Sequence, residues 1–186
     1  MDWSPSSPTV DARLSFRWLA LGERSADVIA MRCAIYGREL AWVGHEDSAF
    51  AWDAYDRVST ALLVRDAATR LVASGRLTVE HDGPLEVSDL VDWKRALPPE
   101  LREAPAAEWS RVMIDRSLRG AGLFRRMYDA AREAAKQRGA TLLAGASVAE
   151  LRPHYERLGF TYLDLPFRSS FFAASPVYFP AYQVIV

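Results

Sequence analysis

A strand, a glycine turn and a helix follow one another in the middle of the chain. The run EWSRVMID (108–115) favours a strand, and LFRRMYDAAREAAKQRG (123–139) contains good helix formers and ends in a capping glycine. Arg119 and Gly122 lie in the turn between them. Such a turn leaves the first helical amides unpaired and forms a site for an anion such as phosphate. A simple tight turn is the alternative.

The other segments predict a mixed sheet flanked by helices. Apolar residues recur at helical spacing in ADVIAMRCAIYGRELAW (26–42), whereas TALLVRD (60–66) and RLVASGRLTVEH (70–81) predict a hairpin. The remaining predictions are a loop at 45–57, short helices at 87–96 and 148–160, and strands at 140–147 and 177–186. This order of elements is typical of a single α/β domain.

Composition limits the class of protein. A chain of 186 residues that is half apolar can bury one sizeable core, and a net charge of -1 argues against a nucleic-acid partner. Cys33 is the only cysteine, and no apolar run reaches the ~20 residues of a membrane span. Residues 1–12 predict a flexible leader without a secretion signal, followed by one domain at 13–186. We therefore expect a cytoplasmic protein with no membrane partner.

Two further features carry chemistry. Tyr155 begins YERLGF (155–160), where a tyrosine could protonate a departing thiolate or could instead be a core residue with its hydroxyl at the rim. His45, His81 and His154 lack metal-ligand spacing, so we expect no metal site.

RGAGLF (119–124) followed later by YERLGF resembles the pantetheine-binding turn and late helix of the GCN5-related N-acetyltransferase (GNAT) superfamily. The resemblance implies a mixed, mostly antiparallel twisted sheet flanked by helices in one α/β domain. It also implies no permanently bound cofactor, with acyl-CoA or acyl-carrier protein as co-substrate. The implied donor-binding residues are Arg119, Gly120, Ala121, Gly122, Leu123 and Phe124. The family pattern has glycine or alanine where Phe124 stands, and a carrier-borne pantetheine with a single phosphate would tolerate this change better than coenzyme A.

An ordered set of residues in the N-terminal half resembles acyl-homoserine-lactone synthases and long-chain N-acyl amino acid synthases. Its members are Arg32, Leu40, Trp42, Asp53, Asp56, Gly75, Arg76, Glu108 and Arg111. The resemblance implies transfer of an acyl chain to an amino-acid-derived amine. RLTVEHDGP (76–84) lacks the Arg-Leu-Leu-Pro-Thr run of the lactone synthases, and YERLGF is closer to general acyltransferases. The product therefore stays open.

Aminolysis of a thioester requires a base, a binding site for the amine and a polarised carbonyl. Glu108 could take the proton through a water, and Asp53 and Asp56 could hold an ammonium group. Arg76 and Arg111 could bind an acceptor carboxylate or pair with those acids. In the alternative interpretation, Arg32 and these five residues form a structural ion-pair network, and Trp42 belongs to the core rather than to a substrate wall.

We therefore predict an N-acyltransferase that acts on a small-molecule amine by direct attack. An acetyl-CoA-dependent acetyltransferase and a catalytically silent acyl-pantetheine binder are the alternatives. Basic residues concentrate between Arg116 and Arg138, where they could dock an acidic carrier protein or form an ordinary solvated helix face. The aromatic segment LPFRSSFFAASPVYFPAY (165–182) could line an acyl tunnel or pack the last strand.

Overall fold

A computed structural model of the chain describes residues 14–41, 51–169 and 175–185. The predicted leader and the candidates Trp42 and His45 lie outside these ranges. Within them, no helix is both long and apolar enough to cross a membrane.

One eight-stranded sheet organises the described chain, in the order β1-β2-β3-β4-β5-β8-β6, with β7 paired to β8. The strands are β1 Ser15–Trp18, β2 Ser59–Arg65, β3 Leu71–Val79, β4 Ala106–Ile114, β5 Leu142–Val148, β6 Thr161–Tyr162, β7 Phe167–Arg168 and β8 Val177–Val184. Among the described strands, β4 and β5 run parallel, and the other neighbours are antiparallel. The predicted mixed, mostly antiparallel sheet is confirmed.

Four α-helices accompany the sheet in the described ranges: α1 Ala26–Arg32, α2 Glu86–Leu90, α3 Leu123–Gln137 and α4 Arg152–Glu156. The Ser25 side chain caps α1 by accepting the Val28 amide. A π-helical turn, Cys33–Glu39, continues from α1, so the predicted first helix is present but changes its winding.

The predicted helix at 87–96 is wrong in its extent. α2 ends at Leu90 because Val91 is extended, and a separate 3-10 turn follows at Lys94–Ala96. The break turns Trp93 into the core, where it is 1% exposed and its indole donates to Ser88 Oγ at 2.9 Å. Burial of this large side chain therefore outweighs continuation of the helix.

α3 packs its apolar stripe on β3 and β4. Leu123, Met127, Tyr128, Ala131 and Ala135 are buried, which is the spacing of one helix face. Most of the basic side chains of α3 stay exposed on the opposite face.

A β-bulge in β4 shapes the middle of the sheet. Ser74 pairs with Met113, but Arg76 pairs with Ser110, so β4 contains one extra residue in this interval. Arg111 lies in the bulge with φ 52°, in the left-handed region. β4 pairs with β5 only over residues 106–108, and beyond that point the two strands diverge.

Candidate active site

A cleft of about 1020 Å³ opens where β4 and β5 separate. One wall is the second half of β4, and the other is the end of β5 with α4. The π-helical turn and α2 contribute residues as well, and apolar side chains dominate the lining. The bulge creates this opening because it bends β4 away from its parallel neighbour.

The glycine turn before α3 lies at one end of the cleft. Gly120 and Gly122 adopt φ 82° and 77°, and a Cβ on either would meet no atom of the described residues within 4 Å. The glycines are therefore required by backbone conformation, and the space above them is open. No side chain of the described residues caps the N-terminus of α3, so its first amides keep their capacity to bind an anion.

Arg119 joins this turn to the π-helical turn. Its Nε donates to the Ile114 carbonyl at 3.0 Å, and its two Nη atoms pair with the Glu39 carboxylate. The Arg119 side chain is 41% exposed, so the pair is a rim contact whose guanidinium can still reach an incoming phosphate.

Phe124 turns toward an aromatic group rather than over the glycines. Its ring makes an edge contact with Tyr155 at a centroid distance of 5.4 Å, and Tyr155 makes further edge contacts with Phe160 and Tyr162. Phe124 therefore packs against Tyr155 and forms part of the cleft wall beside it.

Tyr155 lines the cleft and is 8% exposed. Burial, together with the nearby Tyr162, raises the pKa of its phenol above the ordinary value. A raised pKa keeps the proton on the hydroxyl, which is the form that an acid toward a leaving thiolate requires.

Behind the cleft lies an ion-pair cluster, which we define as Arg32, Asp53, Asp56, Arg76, Glu86 and Arg111. Arg32 binds Asp56 with two bonds of 2.5 and 2.6 Å. Although burial acts to raise it, this guanidinium holds the pKa of Asp56 well below its usual range. Asp53 and Asp56 each accept the backbone amide of the other, at 2.9 and 3.0 Å.

Two arginines of the cluster share their acids. Arg76 Nη1 lies 2.7 Å from Asp53 Oδ1, and its Nη2 pairs with Glu86. Arg111 Nη2 lies 3.2 Å from Asp53 and 2.7 Å from Glu86. Five of the six predicted network members are therefore present, whereas Glu108 makes no ion pair with the described arginines and Glu86 takes part instead. The arginines already hold carboxylates of the protein itself.

Glu86 was missed by sequence reasoning. It is the first residue of α2, is 6% exposed and bridges Arg76 and Arg111. It lies in a stretch without clear periodicity, so only an acid beside a short apolar run could have drawn attention to it.

Glu108 occupies the cleft without a basic partner in the described chain. Its Oε2 accepts the Val87 amide at 3.3 Å, and its side chain is within 4.0 Å of no described arginine or lysine nitrogen. Burial, together with the negative charge of Glu86, raises the pKa of Glu108 to about 7. A carboxylate poised near neutrality suits a general base.

The sequence between residues 29 and 160 matches the family model for acetyltransferase (GNAT) proteins. The chain belongs to the GNAT family. No curated protein matches the sequence.

Solved structures of other GNAT-like proteins have the same fold at low identity. FeeM, an N-acyl amino acid synthase from uncultured soil microbes, aligns with a TM-score of 0.72 at 13% identity over 94% of this chain and 92% of its own. BjaI, a CoA-dependent acyl-homoserine lactone synthase with SAM and isopentyl-CoA, gives 0.68 at 20% over 93% and 84%. TofI, in complex with an inhibitor and MTA, gives 0.65 at 23% over 91% of each chain.

Within this GNAT fold, the predicted site residues divide into two groups. Glu108, Tyr155, Arg111, Arg119 and most of the glycine turn line one cleft. The other acceptor candidates of the described chain are buried behind the cleft: Arg32, Asp53, Asp56 and Arg76. The ion pairs of Glu86 with Arg76 and Arg111 connect this group to the cleft. The described residues contain no group of three or more histidine, cysteine, aspartate or glutamate side chains arranged so that they could hold a metal ion.

Proposed function

We propose that the protein is an N-acyltransferase that moves an acyl group from an acyl thioester to the amine of an amino acid or an amino-acid-derived acceptor. One observation carries the proposal: the anion-binding turn, Glu108 and Tyr155 share a single apolar cleft. The turn suits the phosphate of a pantetheine donor, and the two side chains suit the proton transfers of aminolysis.

The reaction proceeds by direct attack. The amine nitrogen bonds to the thioester carbonyl carbon, and the carbon–sulfur bond breaks. Glu108 takes the proton that the nitrogen loses, through a bridging water, and Tyr155 gives its hydroxyl proton to the departing sulfur. Solvent returns a proton from Glu108 to Tyr155, and the products are an amide and a free thiol.

The lining of the cleft favours an acyl group longer than acetyl. It is mostly apolar, and the cleft of about 1020 Å³ would hold the acyl chain beside the pantetheine arm and the acceptor amine. Phe167 stacks on Tyr178 at a centroid distance of 5.7 Å, and both line the cleft, so part of the aromatic C-terminal segment supplies its wall. FeeM is an N-acyl amino acid synthase, and BjaI was solved with isopentyl-CoA, whose isopentyl group is larger than acetyl, so both agree with this proposal.

The acceptor amine lies next to Glu108 in this proposal. Because Arg76 and Arg111 already pair with Asp53 and Glu86, an acceptor carboxylate would have to displace those acids or bind elsewhere in the cleft. The donor is either acyl-CoA or acyl-carrier protein, and BjaI is a relative in fold that uses CoA.

An acetyl-CoA-dependent acetyltransferase is the second candidate, because the matching family model describes acetyltransferases. Product analysis separates the two. The protein is incubated with acyl-CoA esters from acetyl to palmitoyl and with the same acyl groups on acyl-carrier protein, together with a pool of amino acids. Mass spectrometry then identifies the amides.

We expect N-acyl products with medium or long chains, and none above background with Glu108→Gln. Acetylated products alone would favour the second candidate. Absence of any amide, with retained binding of acyl-pantetheine, would indicate a catalytically silent binder.

A further inference from the structure

We propose that Glu86 is a positioning residue for the transfer, holding Arg76 and Arg111 in place and acting on Glu108 through its negative charge. The inference rests on the proposed function, since it concerns how Glu108 serves as a base. Glu86 would contact neither the acyl donor nor the reacting amine, and its effect would reach the chemistry through Glu108.

The placement of Glu86 follows from its contacts. As the first residue of α2, it projects its carboxylate between two buried arginines, pairing with Arg76 Nη2 and lying 2.7 Å from Arg111 Nη2. The next backbone amide, that of Val87, donates to Glu108 Oε2 at 3.3 Å. Glu86 is therefore adjacent in sequence to the residue whose amide holds Glu108, and both glutamates line the cleft.

The balance of charge in the cluster explains why Glu86 affects Glu108. Counting only described residues, the ion-pair cluster together with Glu108 contains four carboxylates and three guanidiniums, which leaves one negative charge in excess. The three arginines are engaged by Asp53, Asp56 and Glu86. The excess therefore falls on Glu108, whose ionised form is buried near a second carboxylate, that of Glu86.

Groups on several elements face Glu108. Glu86 on α2 raises the pKa of Glu108, whereas Arg76 on β3 and the α2 amides lower it. Tyr55, in the 3-10 turn before β2, is close enough for Glu108 to act on its phenol. Burial has the largest effect, and Glu86 is the largest contribution from another charged group. Loss of the Glu86 charge should therefore make Glu108 easier to ionise.

A purely structural role makes a different prediction. If Glu86 only braced the two arginines, its loss would lower the melting temperature and the plateau rate but would leave the proton affinity of Glu108 as it is. The pH dependence of turnover thus distinguishes the two roles, because a brace does not move it.

The first test is Glu86→Gln, which keeps the shape but removes the charge. The rate of the wild-type protein should rise with pH through about 7, as Glu108 loses its proton. In the variant this rise should move to lower pH by about one unit. The matched control is Asp92→Asn, which removes an exposed charge just after the same helix and should leave the midpoint in place. An unmoved midpoint in an active Glu86→Gln protein would overturn the proposal.

The second test needs neither activity nor a folded Glu86 variant. Carbon-13 NMR of the wild-type protein labelled at glutamate carboxyls follows Glu108, which is assigned by its loss in Glu108→Gln. We expect the Glu108 resonance to titrate with a midpoint near 7. A second glutamate resonance should shift with the same midpoint in the wild-type protein and should not shift there in Glu108→Gln. Ionisation of Glu108 near the ordinary 4.5 would overturn the proposal, even if the protein proved to be an active acyltransferase.

Discussion

Glu108 differs from the other buried acids of the described chain in its interaction partners. Asp53, Asp56 and Glu86 each pair with at least one arginine, whereas Glu108 is 3% exposed and receives backbone amides instead. A buried carboxylate without a basic partner is costly to ionise. The position of Glu108 inside an apolar cleft agrees with a role in proton transfer rather than in stability.

Replacing Glu108 by Gln should lower kcat by at least about a hundredfold, because a positioned base contributes roughly 10²–10⁴-fold. Donor affinity should change little, since the side chain acts only on the amine. Steady-state kinetics measures both constants, with Glu133→Gln on the exposed face of α3 as the matched control. Full activity in a folded Glu108→Gln protein would leave deprotonation to water or to Asp53 and Asp56.

The same variant should change how stability depends on pH. The folded pKa of Glu108, about 7, lies above the ordinary 4.5. Its favourable contribution is therefore complete below about 4.5 and is lost as pH rises through about 7. Relative to wild type, Glu108→Gln should gain stability between pH 5 and pH 8, on the order of 1–3 kcal/mol. Thermal melts across this range measure the gain. An equal loss of stability at every pH would indicate instead that Glu108 is a structural brace.

Single residues were predictable where a motif surrounded them. Glu108 and Arg111 stand in a strand next to a glycine turn, so their placement could be foreseen. Glu86 was not foreseeable, because its partners Arg76 and Arg111 are 10 and 25 residues away and meet it only through the fold. Ion pairing at that range has no sequence period.

Elements with strong periodicity were predicted well, and irregular ones were not. The hairpin of β2 and β3, the unit from β4 through α3 to β5, and the closing strand β8 are confirmed. β6 and β7 were missed because two residues show no alternation, and the four residues of β1 show too little.

The bulge in β4 left no sequence signal either. Arg111 adopts a left-handed conformation that costs an ordinary residue roughly 1–2 kcal/mol, and no glycine marks the position. The ion pairs of Arg111 with Asp53 and Glu86 offset that cost. The ion-pair cluster therefore stabilises the bend that opens the cleft, which links its structural role to the site.

Gly122→Val should test the turn at the start of α3. If the first amides of the helix hold the donor phosphate, a branched side chain in the open space above them should raise the donor KM strongly. Gly139→Val is the matched control, because Gly139 ends the same helix with φ 81° and equally open space. Both variants should lose similar stability from the left-handed strain, but only Gly122→Val should change KM. Equal donor KM values in the two folded variants would remove the turn from the site.

The distribution of charge over the molecule bears on the choice of donor. The net charge is -1, yet exposed basic residues gather on α3 beside the glycine turn. Arg125 lines the cleft and makes an exposed pair with Asp129, while Arg126 lies over the ring of Phe16 at 4.8 Å. These weak surface contacts leave both guanidiniums available to an acidic partner. This arrangement favours the proposal that acyl-carrier protein docks beside the glycine turn.

Reversing Arg125 and Arg126 to Glu should therefore slow the reaction with acyl-carrier protein far more than with acyl-CoA. We expect kcat/KM to fall by roughly tenfold or more with the carrier, because complementary charges act mainly on association. The loss with CoA should be several times smaller, and added salt should reduce the difference between the donors. The control is reversal of Arg57 and Arg95, which are exposed, do not line the cleft and give the same change in net charge. Equal losses with both donors, or equal losses in the two double variants, would indicate that α3 does not dock a carrier.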